Sequence, residues 1–282
     1  MKLAASFRHI RWGEVLLLQG APLFGVAFSI GAITPARIGV ALIFAAASFL
    51  LVAHVFVFND WADAAQGLSQ RTYGSDARPP VLLGLSLFLL AASVALFIFL
   101  PVRTFLLALT IALLGFFYSH PRQNGKSRPI ISSCIHFLGG LLHFLLGYSL
   151  FSELDQRGIL LALFFALTFT AGHLNQEVRD FEIDRESGAR TNAVVFGKRR
   201  NFIASILVFA LSYACLFLLS WLGHLPFGLA LLGLALFPVQ MFWSIRTLRS
   251  GLTSDHIRGL QARYRALYAV IGLAMLTALF WK

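Results

Sequence analysis

Charge is what this sequence lacks most. Only 12% of its 282 residues are Asp, Glu, Lys or Arg, against about 25% in an ordinary soluble domain. Acids are the scarcer sign, 12 against 23 basic residues. A chain that is 58% hydrophobic and carries so few charges cannot coat a water-facing surface, which excludes a soluble globular class and makes this an integral membrane protein. Cysteine is nearly absent as well. Cys134 and Cys215 both fall in apolar runs, so no disulfide framework is expected. The N-terminus lacks a signal-peptide cleavage pattern, and the first apolar run is expected to be retained.

Long apolar runs are what the sequence has. A helix needs about 17 to 25 apolar residues to cross a bilayer, and by that criterion the chain holds roughly nine spans. They lie near 14–33, 38–58, 81–101, 103–119, 130–151, 158–176, 201–223, 225–245 and 260–281. Pro101 alone separates the third from the fourth, and His224 to Pro226 the seventh from the eighth, so these neighbours are antiparallel hairpins. The longer connections then share one side with the N-terminus. All but four of the 23 Lys and Arg border that side, the exceptions being Arg37, Arg103, Arg157 and Lys282. The positive-inside rule therefore places the N-terminus and the long loops in the cytoplasm and the C-terminus outside. The formal +11 charge is a topology signal bordering apolar helices, with no separate basic domain that would bind nucleic acid.

Against this background the few acids stand out. Asp180 and Asp184 follow the sixth span and are four apart, one turn of helix. At the end of the second span, Asn59 and Asp63 repeat that spacing, with Asp60 one residue round. Acids near a membrane-embedded helix end are costly, by about 2.5 to 3.5 kcal/mol on insertion scales at the bilayer centre, and usually functional. Two carboxylate pairs at one aqueous mouth suit magnesium, which takes one or two protein carboxylates and fills its shell with water and phosphate oxygens. Each pair alone is also what a solvated helix end looks like.

The surrounding loops supply cations. Arg71, Tyr73, Asp76 and Arg78-Pro79-Pro80 follow the first cluster, and Tyr118-Ser119 precedes Arg122, Lys126 and Arg128. Arginine forks suit phosphate oxygens, though each of these cations is equally a topology signal. His136 and His143 share a face of the fifth span and lack a ligand set, which favours hydrogen bonding between helices. His54 and His173 each precede an acidic cluster. Gln261 to Tyr268, with Arg263, Tyr264 and Arg265, reads as an interfacial anchor.

With both clusters in view the chain resembles the UbiA-type intramembrane prenyltransferase superfamily. Asn59, Asp60 and Asp63 match its first motif, N-D-x-x-D-x-x-x-D. Asp180, Asp184, Gly188, Arg190, Thr191 and Gly197 match its second, D-x-x-x-D-x-x-x-G-x-(K/R)-T followed by glycine. Pro22 to Ala27, Arg78-Pro79 and Tyr118-Ser119 agree further, Arg179-Asp180 is most similar to the menaquinone-type branch, and the chain as a whole resembles the menaquinone- and ubiquinone-type branches. Gly67 replaces the last Asp of the first motif, with Ala64 where an Arg often stands. Asp60 and Asp76 are the nearest substitutes.

The resemblance implies an all-α polytopic bundle of about nine transmembrane helices around a central cavity open to the cytoplasmic side. It implies one membrane domain over 1–282, made of two pseudo-repeated halves, with the first acidic motif at 59–67 and the second at 180–191. It implies Mg2+-dependent transfer of a prenyl group from a polyprenyl diphosphate to an acceptor such as an aromatic quinone precursor. The metal ligands would be Asn59, Asp60, Asp63, Asp180 and Asp184, with Asp63, Asp180, Asp184 and Arg78 catalytic. Arg78, Tyr118, Ser119, Lys126 and Arg190 would hold the substrate. In a bacterium the site would lie in the cell inner membrane. A terpene cyclase using the same ionisation, a carrier, and a non-catalytic relative remain alternatives at this point.

Overall fold

The computed structural model describes residues 10–67 and 78–280. All regular structure among them is helical. Arg71, Tyr73 and Asp76 lie outside the described residues. The helices are α1 Trp12–Leu18, α2 Gly20–Ser29, α3 Pro35–Ala65, α4 Pro79–Phe97, α5 Val102–Ser119, α6 Ile131–Tyr148, α7 Gln156–Arg179, α8 Phe181–Glu186, α9 Asn192–Phe196, α10 Lys198–Trp221, α11 Phe227–Arg249 and α12 Ser254–Thr277.

Seven of these, α3 to α7 with α10 and α11, are long and apolar enough to cross a membrane. The expected first and last spans differ from that standard for local reasons. Pro22 has no N–H to give the Leu18 carbonyl, and the helix is interrupted at Gln19, between α1 and α2. The last begins earlier than expected, at Ser254, and its first half carries Asp255, Arg258, Arg263 and Arg265. Helix starts follow their caps. Thr34 accepts from the Arg37 N–H at 3.3 Å ahead of Pro35, Asp155 from Gly158 at 2.7 Å, and Thr253 from His256 at 3.3 Å.

The chain forms two compact units. One comprises the residues up to Gly125 with Leu142–Leu154, the other Lys126–Leu141 with Asp155 onward. In the first, α3 packs along α4 and α5. Val52, Ala53 and Val57 meet Leu82, Leu85 and Leu89, while Phe44, Ala47 and Leu51 meet Phe97, Ala108 and Ile111. Polar ties add specificity where no water competes. Ser93 donates to the Ala47 carbonyl at 2.8 Å, and His54 Nδ1 lies 2.8 Å from Ser86 Oγ. Glycine allows α2 to touch α6 backbone to backbone, because a Cβ on Gly147 would collide with the Pro22 carbonyl and one on Gly25 with that of Phe144.

In the second unit α7 packs along α10 and α12, around Ala171, Val178, Phe202, Phe209, Ile257 and Leu260. Here the two tyrosines of the expected interfacial anchor turn inward, while Arg263 and Arg265 stay exposed. Tyr264 is buried against Phe209 at a ring distance of 4.9 Å, and Tyr268 reaches Ser212 at 2.6 Å. A tyrosine with a hydrogen-bond partner is as stable inside as at a headgroup. Exposed side chains such as Phe88, Leu113, Leu207, Leu234 and Phe242 give the units the apolar exterior that lipid requires.

Candidate active site

The first acidic cluster sits on the last two turns of α3, a helix longer than a bilayer core is thick. Its 31 residues span roughly 46 Å at about 1.5 Å each, against ~30 Å of hydrocarbon. The last turns, carrying Asn59, Asp60 and Asp63, therefore have reason to leave the apolar layer. Asn59 and Asp63 meet on one face, Nδ2 donating to the Asp63 carboxylate at 3.5 Å. Ser119, at the end of α5, donates to Asn59 Oδ1 at 3.2 Å. Asp60 differs from both, being buried and paired with Arg11. Around the cluster, Phe58 stacks near Trp61 and Phe116 at 4.9 and 5.8 Å, and Phe116 meets His120 at 4.6 Å.

The missing carboxylate at Gly67 has a local cause. α3 ends at Ala65, and Gly67 turns left-handed with φ of 74°, its N–H bonding the Ala64 carbonyl at 3.1 Å. Residue 67 has thus left the helical face that Asn59 and Asp63 share.

The second cluster straddles a helix break. Asp180 closes α7, and the turn continues because the Asp184 N–H bonds the Asp180 carbonyl at 2.9 Å. Arg179 grips the Asp180 carboxylate with both Nε and Nη2 at 2.7 Å, and reaches Gln261 at 3.2 Å. Asp184 is half-buried. Burial first, then the negative charge of Asp180, push its carboxyl up to about 6, partly offset by the Thr191 hydroxyl. A cation beside the two would reverse that preference. Glu182, exposed, joins Lys198 at 2.8 Å and Arg185 at 3.0 Å. Gly188, with φ of 74°, starts the return toward Thr191.

A buried polar hub stands behind this cluster, and sequence reasoning did not find it. Glu177 accepts from Asn192 Nδ2 at 3.0 Å to each oxygen, from Asn201 Nδ2 at 3.2 Å, and lies 3.3 Å from His173 Nε2. Asn192 also accepts the Ile130 N–H at 2.6 Å and donates to Ser133 at 3.0 Å. Ile130 has φ of 66°, a conformation that costs a β-branched residue about 1 to 3 kcal/mol and persists only where neighbours enforce it. His173 stacks on His136 at 3.5 Å. One sequence signal was there to read, a carboxylate one turn after His173 in an apolar span.

The remaining expected residues fall as follows. Arg78 is exposed just before α4, and Arg190 is exposed beside Thr191. Tyr118 is half-buried next to buried Ser119 on α5, and Lys126 lies half-buried in a 3-10 turn, Gly125–Ser127. Asn59, Asp63, Ser119 and Tyr118 belong to the first unit, and Asp180, Asp184, Arg190 and Lys126 to the second. The donors are all oxygen, which fits a hard cation. Among the described residues no three His, Cys, Asp or Glu side chains converge into a metal cage. Asp60 is engaged by Arg11 and Asp180 by Arg179, so a bound cation would compete with an arginine at each.

Comparison with known proteins gives this geometry a context. The pattern of the UbiA prenyltransferase family matches residues 21–256. An uncharacterized protein of Archaeoglobus fulgidus is 30% identical over 95 residues, which is 34% of this chain and 32% of that protein. The match to that curated relative therefore spans about a third of its length. A solved digeranylgeranylglyceryl phosphate synthase superposes with a TM-score of 0.78 at 16% identity, over 100% of this chain and 99% of that one. A UbiA homologue from A. fulgidus, solved with DMAPP and Mg2+, gives 0.70 at 17% identity over 96% and 99%. One from Aeropyrum pernix K1 gives 0.65 at 16% over 95% and 98%. At such identities the superpositions speak for the fold.

Proposed function

Because the chain belongs to the UbiA prenyltransferase family, we propose that it transfers a prenyl group from a prenyl diphosphate to a lipophilic acceptor within the membrane, using Mg2+. The observation that carries this is the recurrence of oxygen donors one helical turn apart, Asn59 with Asp63 on α3 and Asp180 with Asp184 after α7. Each pair would hold Mg2+, which when bound neutralises the diphosphate and makes it a better leaving group. The A. fulgidus homologue solved with DMAPP, or with GPP, and Mg2+ supports that substrate class.

In the reaction, the carbon–oxygen bond to the diphosphate breaks and both electrons leave with pyrophosphate. Arg78, Arg190 and Lys126 take up the charge that develops on the departing oxygens. Tyr118 and Ser119 orient the substrate, Ser119 through the bond it donates to Asn59. The allylic cation that remains needs electron-rich walls, and the rings of Phe58, Trp61 and Phe116 beside Asn59 would supply them. The acceptor then forms the new bond to carbon and gives up a proton. An aromatic quinone precursor is the acceptor we propose, on the likeness of Arg179-Asp180 to the menaquinone-type branch. The site would face the cytoplasm, in a bacterium that of the inner membrane, with the N-terminus on the same side and the C-terminus outside.

The test uses purified protein with Mg2+, prenyl diphosphates of graded length and candidate acceptors, following pyrophosphate and prenylated product. Asp63→Ala and Asp180→Ala should each lower turnover by roughly 100-fold or more, the scale of losing one preorganised charge at a reacting centre. Full activity in both variants would defeat the site, and pyrophosphate release without any acceptor would indicate a cyclase instead.

A further inference from the structure

The hub behind the second acidic cluster joins three stretches of chain that the proposed reaction needs in register. Glu177, on α7, leads directly into Arg179 and Asp180. Asn192 begins α9, immediately after Arg190 and Thr191. Ile130, whose N–H Asn192 accepts at 2.6 Å, ends the loop that carries Lys126 and Arg128. All three belong to one compact unit. Asn192 is 4% exposed and Glu177 5%, so neither is placed to touch a diphosphate.

The chemistry of the hub explains why it has one geometry. A carboxylate only accepts, and the amides of Asn192 and Asn201 both donate to it, with His173 Nε2 3.3 Å away. The Asn192 amide carries both a donor and an acceptor, and the hub uses both. Its amide nitrogen serves Glu177 and its oxygen holds the Ile130 N–H. That last bond fixes a backbone turn, φ 66° at Ile130, that an isoleucine does not adopt unaided. Releasing Asn192 would free the basic loop and the acidic segment together.

We propose that Glu177 and Asn192 are positioning residues, locking the basic loop around Lys126 and the acidic segment 180–191 into a single arrangement that binds the diphosphate. This rests on the prenyl-transfer reading above and adds to it residues that never contact substrate. The closing experiment therefore has one arm that needs no turnover.

In that arm, hydrogen exchange is followed on the full-length protein in detergent. Asn192→Ala should speed exchange at the Ile130 amide and in 185–191 together, by tenfold or more. Unchanged protection at Ile130, or loosening of one stretch alone, overturns the lock. In the kinetic arm, Asn192→Ala and Glu177→Gln should raise KM for the prenyl diphosphate at least tenfold while kcat changes less than threefold. Asn201→Ala, which removes a Glu177 bond but leaves the Asn192 to Ile130 link, should leave KM within twofold.

The double variant Glu177→Gln with Asn192→Asp reverses donor and acceptor between the two while keeping an oxygen for the Ile130 N–H. It should bring KM back to within threefold of the parent. Single variants that lose only thermal stability at parental KM, or a double variant no better than either single, overturn the positioning role. If the parent protein turns over no prenyl diphosphate, the reaction assignment falls, and the exchange arm still decides the lock.

Discussion

At the scale of single residues, the clearest division is between a buried acid and a half-exposed one. Asp60 is buried against Arg11, whereas Asp63 lies half-exposed beside Asn59. Breaking a buried ion pair from one side costs about 3 to 5 kcal/mol. Asp60→Asn should therefore lower the melting temperature in detergent by several degrees while turnover per folded molecule falls less than tenfold, the reverse of Asp63→Asn. Thermal melts paired with initial rates separate the two. Gly67 gives a second prediction. Restoring the family's acid there, Gly67→Asp, puts a side chain on a left-handed residue at φ 74°, a cost of about 1 to 2 kcal/mol. Because the chain has already left the helix, half-saturating Mg2+ should stay unchanged.

Both acidic clusters were legible in the sequence because acids are so rare in it that each one is informative. What could not be read were partnerships across distance. Arg11 counts as one more cytoplasmic cation until the fold puts Asp60 beside it, and Asn192 and Asn201 look like loop and helix-start residues until they close on Glu177. Tyr264 and Tyr268 were misread for a related reason, since composition does not distinguish a tyrosine at a headgroup from one bonded to Ser212 inside a bundle.

Among the elements, the contact of α2 with α6 depends on a residue with no side chain. Gly147→Ala places a methyl group against the Pro22 carbonyl, and overpacking of this kind costs about 1 to 3 kcal/mol. Its expected signature is a lower melting temperature and a shorter half-life in detergent, with KM for the diphosphate unmoved. Hairpin order was open to sequence reasoning, because Pro101 and the His224 to Pro226 turn leave no alternative. The break at Gln19 was less visible, since it depends on which carbonyl Pro22 fails to serve.

For the whole molecule, the distribution of Lys and Arg makes a topological prediction. A cysteine placed at Gly188 should react with a membrane-impermeant maleimide only from the cytoplasmic face, and one at Gly223 only from the other, with Cys134 and Cys215 first replaced by serine. Labelling of both from one face would refute the assignment.

The excess length of α3 bears on the lipid around it. A helix of 31 residues overshoots ordinary hydrocarbon, and each ångström of added bilayer thickness draws its polar end nearer the acyl chains at a fraction of a kcal/mol. Vesicles made from progressively longer phosphatidylcholines would submerge Asp63, and catalysis should decline with acyl length well before the fold is lost.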